Sequence, residues 1–323
     1  MPTKLRTMIA QQPGTLRAVA VTDLSEAAAR LRGAARLLLV GTGTSQHAAE
    51  LGELLFGAAG LDARAVPAGH AARWSAPPRA GDALIVISHT GETAYARRVR
   101  AQALASGLPF VSITGPAAGW PEAITTPVRE ESETYTVSYT AALAVLAGLA
   151  HELGAPGAGP DALEATAHRV AEVLDDPGLG EVAMPERAMA IVGAGPWHVT
   201  AREGALKLRE AAHVICEGFD AERLLHGAAV PYQGGDVLVA VQPAADPDGL
   251  VAGVATAARE AGAAVATLAE PELPVSPALA QIPLTVRLQL LAAGFAERRQ
   301  TDPDVVITGS WSAEALWEAG APE

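Results

Sequence analysis

RLLLVGTGTSQHAAELGELLFGAAG, residues 36–60, opens on an unbroken aliphatic run, turns at Gly41 and Gly43, and continues with helical spacing to Gly60. A short continuous apolar run reads as a strand buried on both faces, and a glycine-bounded Ala/Leu-rich stretch after it reads as a helix. DALIVISHTGETAYARRVRAQALASG, residues 82–107, repeats the pattern: a strand over 83–88, a turn, and a helix ending at Gly107. LPFVSITG, residues 108–115, adds another short buried strand. Strands alternating with helices of this length predict an α/β protein, with a parallel sheet covered by helices on both faces.

The same pattern restarts downstream. AMAIVGAGPWHVTAREGALKLRE (188–210) matches the first stretch, GDVLVAVQP (235–243) matches GDALIVISH, and AAVATLAE (263–270) matches LPFVSITG. The offsets agree: Gly41 to Gly193 is 193 − 41 = 152, Asp82 to Asp236 is 236 − 82 = 154, and Phe110 to Val265 is 265 − 110 = 155. This predicts an internal duplication, giving two tandem doubly wound parallel-sheet domains of flavodoxin-like, three-layer αβα form. The expected boundaries are a helical segment over 1–32, a first domain over 33–155, a helical linker over 156–184, a second domain over 185–300 and a tail over 301–323. Within the first segment Asp23 and Ser25 are candidate helix caps and Gly33 a stop; the Gly/Pro-rich stretch 151–164 reads as the start of the linker, with a helix near 161–175.

Composition narrows the function. Half of the 323 residues are hydrophobic and 18% are charged, which is ample for a buried core. The net charge of −13 opposes binding to a phosphate backbone, so nucleic acid is not an expected partner. The single cysteine, Cys216, and the absence of a leader-like start point to a cytoplasmic protein. No stretch has the roughly 18 uninterrupted apolar residues that suggest a membrane span.

Ligands of open parallel sheets bind outside the carboxyl ends of the strands. GTGTS (41–45) and SHTGET (88–93) fall there. Each offers free helix N-terminal N–H groups, and Ser45, Ser88, Thr90 and Thr93 add O–H donors suited to an anion. The plainer reading is that these hydroxyls only cap helices. Two such turns in successive units favour the anion, all the more because the second copy has GAGPW and QPAAD in their places. A dinucleotide is disfavoured, because Gln46 and His198 stand where the third glycine of G-x-G-x-x-G belongs. His213, Cys216 and His226 match no strong metal spacing, and Ser88–His89 has no third partner for a triad. No metal or cofactor is expected.

EGALKLRE (203–210) places Glu203, Lys207 and Glu210 at i, i+4 and i+7, on one helical face. That is either a solvated ion pair or, at the ligand-binding edge of a sheet, a reacting group. His226 follows in LLHG.

With GTGTS, SHTGET, EGALKLRE and LLHG in this order, the chain resembles the sugar isomerase (SIS) domain family over about residues 33–300. It is most similar to the two-SIS-domain isomerase half of glucosamine-6-phosphate synthase and to stand-alone phosphosugar isomerases, deaminases and deglycases. The resemblance implies that Thr44, Ser45, Ser88, His89, Thr90 and Thr93 hold the phosphate. It implies that Glu210 moves a proton between C1 and C2 of the open-chain sugar, with Lys207 beside the reacting carbons. His226 would open the ring, reaching in from the other subunit of a homodimer. Gly43, Glu203, Glu133 and Thr136 are further candidates for substrate contact. Three departures bear on the reaction. The chain begins Met-Pro-Thr, without the amidotransferase cysteine. Trp311 stands near the family's tail lysine, and ETYTVSYT (133–140) lacks the usual Thr-Lys pair, with Glu133, Tyr135 and Thr136 there instead. The expected function is aldose–ketose isomerisation of a hexose 6-phosphate, amino-substituted at C1 or C2, with or without loss of ammonia or an amine. The alternative is a phosphosugar-binding regulator without catalysis.

Overall fold

The computed structural model describes residues 2–180, 182–242 and 246–322. Helices α1 (Lys4–Ala10), α2 (Gln12–Ala20) and α3 (Ser25–Leu31) open the chain. Asp23 is not the N-cap of α3: its Oδ1 accepts the Ser25 N–H, Leu24 holds the cap position and Ser25 is the first helical residue.

The first α/β unit runs β1 (Arg36–Gly41), α4 (Thr44–Ala58), β2 (Ala63–Pro67), α5 (Ala68–Arg73), β3 (Asp82–Ile87), α6 (Ala94–Ser106), β4 (Phe110–Thr114), β5 (Ala123–Thr125) and α7 (Val137–Glu152). Its strands pair in parallel in the order β2-β1-β3-β4-β5. Helix α8 (Pro160–Asp175) follows. The predicted linker is thus a structural layer, since α8 packs on α2, and residues 151–152 are still the last turn of α7. The second unit runs β6 (Met189–Gly193), α9 (His198–Ala212), β7 (Cys216–Asp220), α10 (Ala221–Arg223), β8 (Val237–Gln242), α11 (Leu250–Glu260), β9 (Ala264–Ala269) and α12 (Ile282–Arg299). Its parallel order is β7-β6-β8-β9. A short helix, α13 (Glu314–Trp317), lies in the tail.

The second order reproduces the first four strands of the first, and local details coincide as well. A Cβ on Gly41 would lie 2.4 Å from the Ser45 carbonyl oxygen, and one on Gly193 would lie 2.6 Å from that of Trp197. Each glycine thus lets a strand end directly against the first turn of the next helix. Asp82, at the start of β3, takes the guanidinium of Arg36; Asp236, before β8, takes that of Arg187. Of the QPAAD turn in the second unit, residues 243–245 lie outside the described residues.

One core joins the units. Leu37, Leu39, Ile85 and Ile113 of the first sheet and Met189, Ile191 and Val239 of the second belong to a single buried cluster with residues of α4, α7, α9 and α12. Smaller cores lie on the outer faces, under α5 and α6 on the first sheet and under α11 on the second. Residues Leu279–Arg299, which include α12, are long and apolar enough to cross a membrane by length and composition, but 83% of their most apolar 18-residue stretch is buried inside the fold. The tail runs along the first unit. Ser132 and Thr134 donate to the Pro303 carbonyl, Asp304 accepts the N–H groups of Lys4 and Leu5, and Glu318 pairs with Arg97 of α6.

Candidate functional site

The turns 41–44 and 88–93 follow adjacent paired strands, β1 and β3, so they stand side by side at the carboxyl edge of the first sheet. Gly43 (φ +57°) and Gly91 (φ +72°) give these turns left-handed backbone that favours glycine. Helix α9 of the second unit packs against α4 at this edge.

Charged groups meet between the two helices. Glu203 Oε2 lies 2.6 Å from His47 Nδ1, and its Oε1 accepts the Thr44 hydroxyl at 3.2 Å. Lys207 Nζ donates to Thr44 Oγ1 at 3.0 Å and to Glu210 Oε2 at 2.7 Å, and sits 3.5 Å from Glu203 Oε1. Glu203 and Lys207 are wholly buried, and the Glu210 side chain is 20% exposed. The face at i, i+4, i+7 is therefore no solvated ion pair.

Burial and Coulomb attraction pull the two carboxylates apart. Burial pushes Glu203 up, but Lys207 and His47 outweigh it and hold the carboxyl below its ordinary range. Burial pushes Glu210 up and prevails over the same lysine, leaving it above the ordinary range. Burial works against the Lys207 ammonium, but Glu203 and Glu210 overcome this and raise it. Two carboxylates with opposite shifts around one ammonium suit a fixed counter-ion and a proton carrier.

The candidate anion-binding residues separate into two groups. Ser88 is buried, and its Oγ has no partner among the described residues. Thr93 holds the cap position of α6, but its hydroxyl makes no capping bond. Thr90 Oγ1 accepts the Glu92 N–H, and half-buried Ser45 starts α4 beside Thr44. These four match an anion cradle. Thr44 instead spends its hydroxyl on Glu203 and Lys207. His89 is likewise engaged elsewhere: its Nε2 accepts the Glu130 N–H at 3.1 Å, and a Cβ on Gly115 would lie 2.4 Å from the ring. Burial lowers His89 to about 4, so near neutral pH the ring carries no charge with which to hold an anion.

That shift predicts an acid sensitivity. A histidine depressed below 6.5 in the folded state adds stability above pH 6.5 and loses it as pH falls towards 4. At about 1.4 kcal/mol per pH unit this reaches about 3 kcal/mol. Urea melts from pH 7 to 4 are expected to show this loss, and His89→Gln, which keeps an acceptor for the Glu130 N–H, is expected to flatten it. An equally steep profile in the variant would place the acid sensitivity elsewhere.

Other candidates lie differently. Glu133 is exposed and accepts the Val306 and Ile307 N–H groups, so it clamps the tail. Thr136 is buried at the start of α7; its N–H goes to Glu130 Oε2, and its hydroxyl has no partner among the described residues. His226 is exposed on a kinked turn at Leu224–Ala228, where Gly227 has φ +105°. It makes no hydrogen bond to Glu210, Lys207 or the anion turns among the described residues. One chain does not bring His226 into the cluster.

Two participants were not singled out from the sequence. His47 lies three residues after Thr44, on the same face of α4, and that spacing could have revealed it. Glu130 sits in an acidic loop with nothing to separate it from Glu131 or Glu133. Its Oε2 accepts the N–H groups of Thr136 and Ser138, capping α7, while its Oε1 is buried without a partner among the described residues. Burial raises its pKa above the ordinary range.

Residues 30–151 match the family model of the SIS domain. The chain is 30% identical over 303 residues to a glutamine–fructose-6-phosphate aminotransferase [isomerizing] of Thermococcus kodakarensis, covering 83% of this chain and 50% of that protein. It spans half or less of the length of the first curated relatives it matches. Its fold is that of tagatose-6-phosphate ketose/aldose isomerase from Escherichia coli (TM-score 0.78, 17% identity, 96% of this chain and 97% of that one). It is also that of glucosamine-6-phosphate deaminase from Thermotoga maritima (TM-score 0.73, 20% identity, 94% and 97%).

Proposed function

We propose that the protein is a phosphosugar isomerase acting on a hexose 6-phosphate, amino-substituted at C1 or C2, as a cytoplasmic homodimer. The observation that carries this reading is the buried Lys207 ammonium held between Glu203 and Glu210, at the sheet edge that also holds Ser88, whose hydroxyl has no partner among the described residues. The phosphate rests on Ser45, Ser88, Thr90 and Thr93, and this binding energy fixes the sugar away from its reacting carbons. Glu210 removes the proton from C2 and returns it to C1, while a proton leaves the C2 oxygen and one joins the C1 oxygen, so the aldose and ketose interconvert without net gain or loss of atoms. Lys207, held as an ammonium, donates to the oxygen that gains charge during the transfer. In deamination or deglycation the same proton transfers leave an imine or enamine, and water adds to its carbon as ammonia or the amine departs. We further propose that the two units arose by duplication. The repeated strand order, the paired glycines Gly41 and Gly193, and the paired aspartates Asp82 and Asp236 support this.

Thermal melts with hexose 6-phosphates and the unphosphorylated sugars test the cradle. Stabilisation by the phosphorylated sugars alone, lost in Ser88→Ala, is expected. Equal stabilisation of wild type and Ser88→Ala would remove Ser88 from the cradle.

His226 bears on the dimer. It is exposed beside Leu225 (54% exposed) and near Val230 (84%), an apolar surroundings suited to contact with a second copy. If His226 acts across the interface, Glu210→Gln and His226→Asn are each inactive. Co-refolded one to one, they are expected to recover about a quarter of wild-type activity, because half of the dimers then carry one intact site. No recovery would place His226 in the same chain's site or outside catalysis. The second reading, a phosphosugar-binding regulator, draws on the separation of His226 from the cluster and on the exposed Trp311 where the family carries a lysine. Binding without turnover of any hexose 6-phosphate would favour it.

A further inference from the structure

The outer face of the first sheet carries a cavity of about 530 Å³, lined from Arg36 to Val40 along β1 and from Arg64 to Val66 along β2. It arises because the crossover between β2 and β3 is poorly covered. Helix α5 has six residues and spans about 9 Å, whereas β1, also of six residues, is about 20 Å long. Parts of β1 and β2 on this face therefore have no helix over them. Leu38 and Val66, which point to this face, stay half-buried although β1 is an interior strand. Loop 74–81, with Pro77 and Pro78, borders the gap, and Val99 and Ala103 of α6 form its wall.

The mouth is basic. Arg36, Arg64 and Arg73 line it, in a chain of net charge −13. Arg36 is committed to Asp82, and Arg64 pairs with Asp62 at an exposed position. Arg73 has no carboxylate partner among the described residues. An apolar floor with a guanidinium at its rim matches a ligand with an apolar body and a single anionic head, and the volume lies within the roughly 300–1,000 Å³ of small-molecule sites.

We propose that this cavity is a second binding site, separate from the phosphosugar edge, for a small amphipathic carboxylate. The chain of the carboxylate lies over Leu38 and Val66 against Ala103, and its head meets Arg73. Helix α6 runs from Thr93 at the anion turn to this wall, so the occupant touches the helix that starts at the cradle.

The test is calorimetric titration of the full chain with decanoate and, in parallel, with decan-1-ol. Saturable binding of decanoate, with decanol at least roughly tenfold weaker, is expected. Ala103→Phe fills the cavity and is expected to abolish binding of both. Arg73→Ala, at an exposed position that carries no core packing, is expected to bring decanoate down to the decanol level; it tests the site even if Ala103→Phe does not fold. Absence of saturable decanoate binding overturns the proposal, as does equal binding by wild type and Arg73→Ala. Sedimentation of the Ala103→Phe chain covers the remaining occupant: a change of oligomeric state without any decanoate binding to wild type would assign this face to a second copy.

Discussion

Glu210→Gln is expected to leave sugar-phosphate binding near the wild-type level and to lower turnover of the substrate by about 10²–10⁴-fold, the usual worth of a positioned proton carrier. Glutamine keeps the size of the side chain and an oxygen that can accept from Lys207 Nζ, now 2.7 Å from Glu210 Oε2. What it removes is the proton affinity that burial raises in Glu210. The pH profile carries the same information. A base must be deprotonated to act, and its pKa lies above the ordinary carboxylate range, so kcat is expected to fall on the acid side through that raised value. Initial rates from pH 4 to 8, with binding measured separately, check both points. Full turnover in Glu210→Gln would exclude it as the proton carrier.

Lys207→Met is expected to produce the largest loss of stability, about 3–5 kcal/mol, the cost of leaving buried charge without its partner. Methionine matches the length of the lysine stem, so the change removes charge rather than volume. Lys207 is wholly buried between the Oε1 of Glu203 and the Oε2 of Glu210, and it also donates to Thr44. Without the ammonium, Glu203 keeps His47 and the Thr44 hydroxyl, whereas Glu210 has no other hydrogen-bond partner among the described residues and must take up a proton. The contact between α4 and α9 weakens with it, and that contact joins the two α/β units. A urea midpoint measured near neutral pH reads the effect. A loss below about 1 kcal/mol would mean that solvent reaches the cluster and screens it.

Much of the fold can be read directly from periodicity. The runs LLLV, ALIVI and MAIV become β1, β3 and β6, and the glycines that close them mark where each helix begins. Gly107, after the run to Ser106, is the left-handed stop of α6. The helix at 161–175 is equally legible, because Pro160 opens it and its apolar face repeats. Its packing is not. Whether α8 bridges two domains or packs on α2 depends on surfaces far apart in the chain.

The site divides in the same way. EGALKLRE by itself places Glu203, Lys207 and Glu210 on one helical face, because the α-helical repeat is a local property of the backbone. It does not decide which of two chemically identical carboxylates carries a proton. That depends on His47 and Thr44, which lie 203 − 47 = 156 and 203 − 44 = 159 residues before Glu203 and reach it only through the packing of α4 on α9. SHTGET likewise determines a donor-rich turn at a strand end, because a strand followed by a helix exposes free N–H groups there. Only the tertiary structure engages the His89 ring away from the turn. Glu130, 41 residues on, brings its N–H to the His89 ring, and Gly115 leaves room for that ring. Local backbone geometry is short-ranged and so is written in the sequence, while charge state and burial are summed over every neighbour the fold assembles.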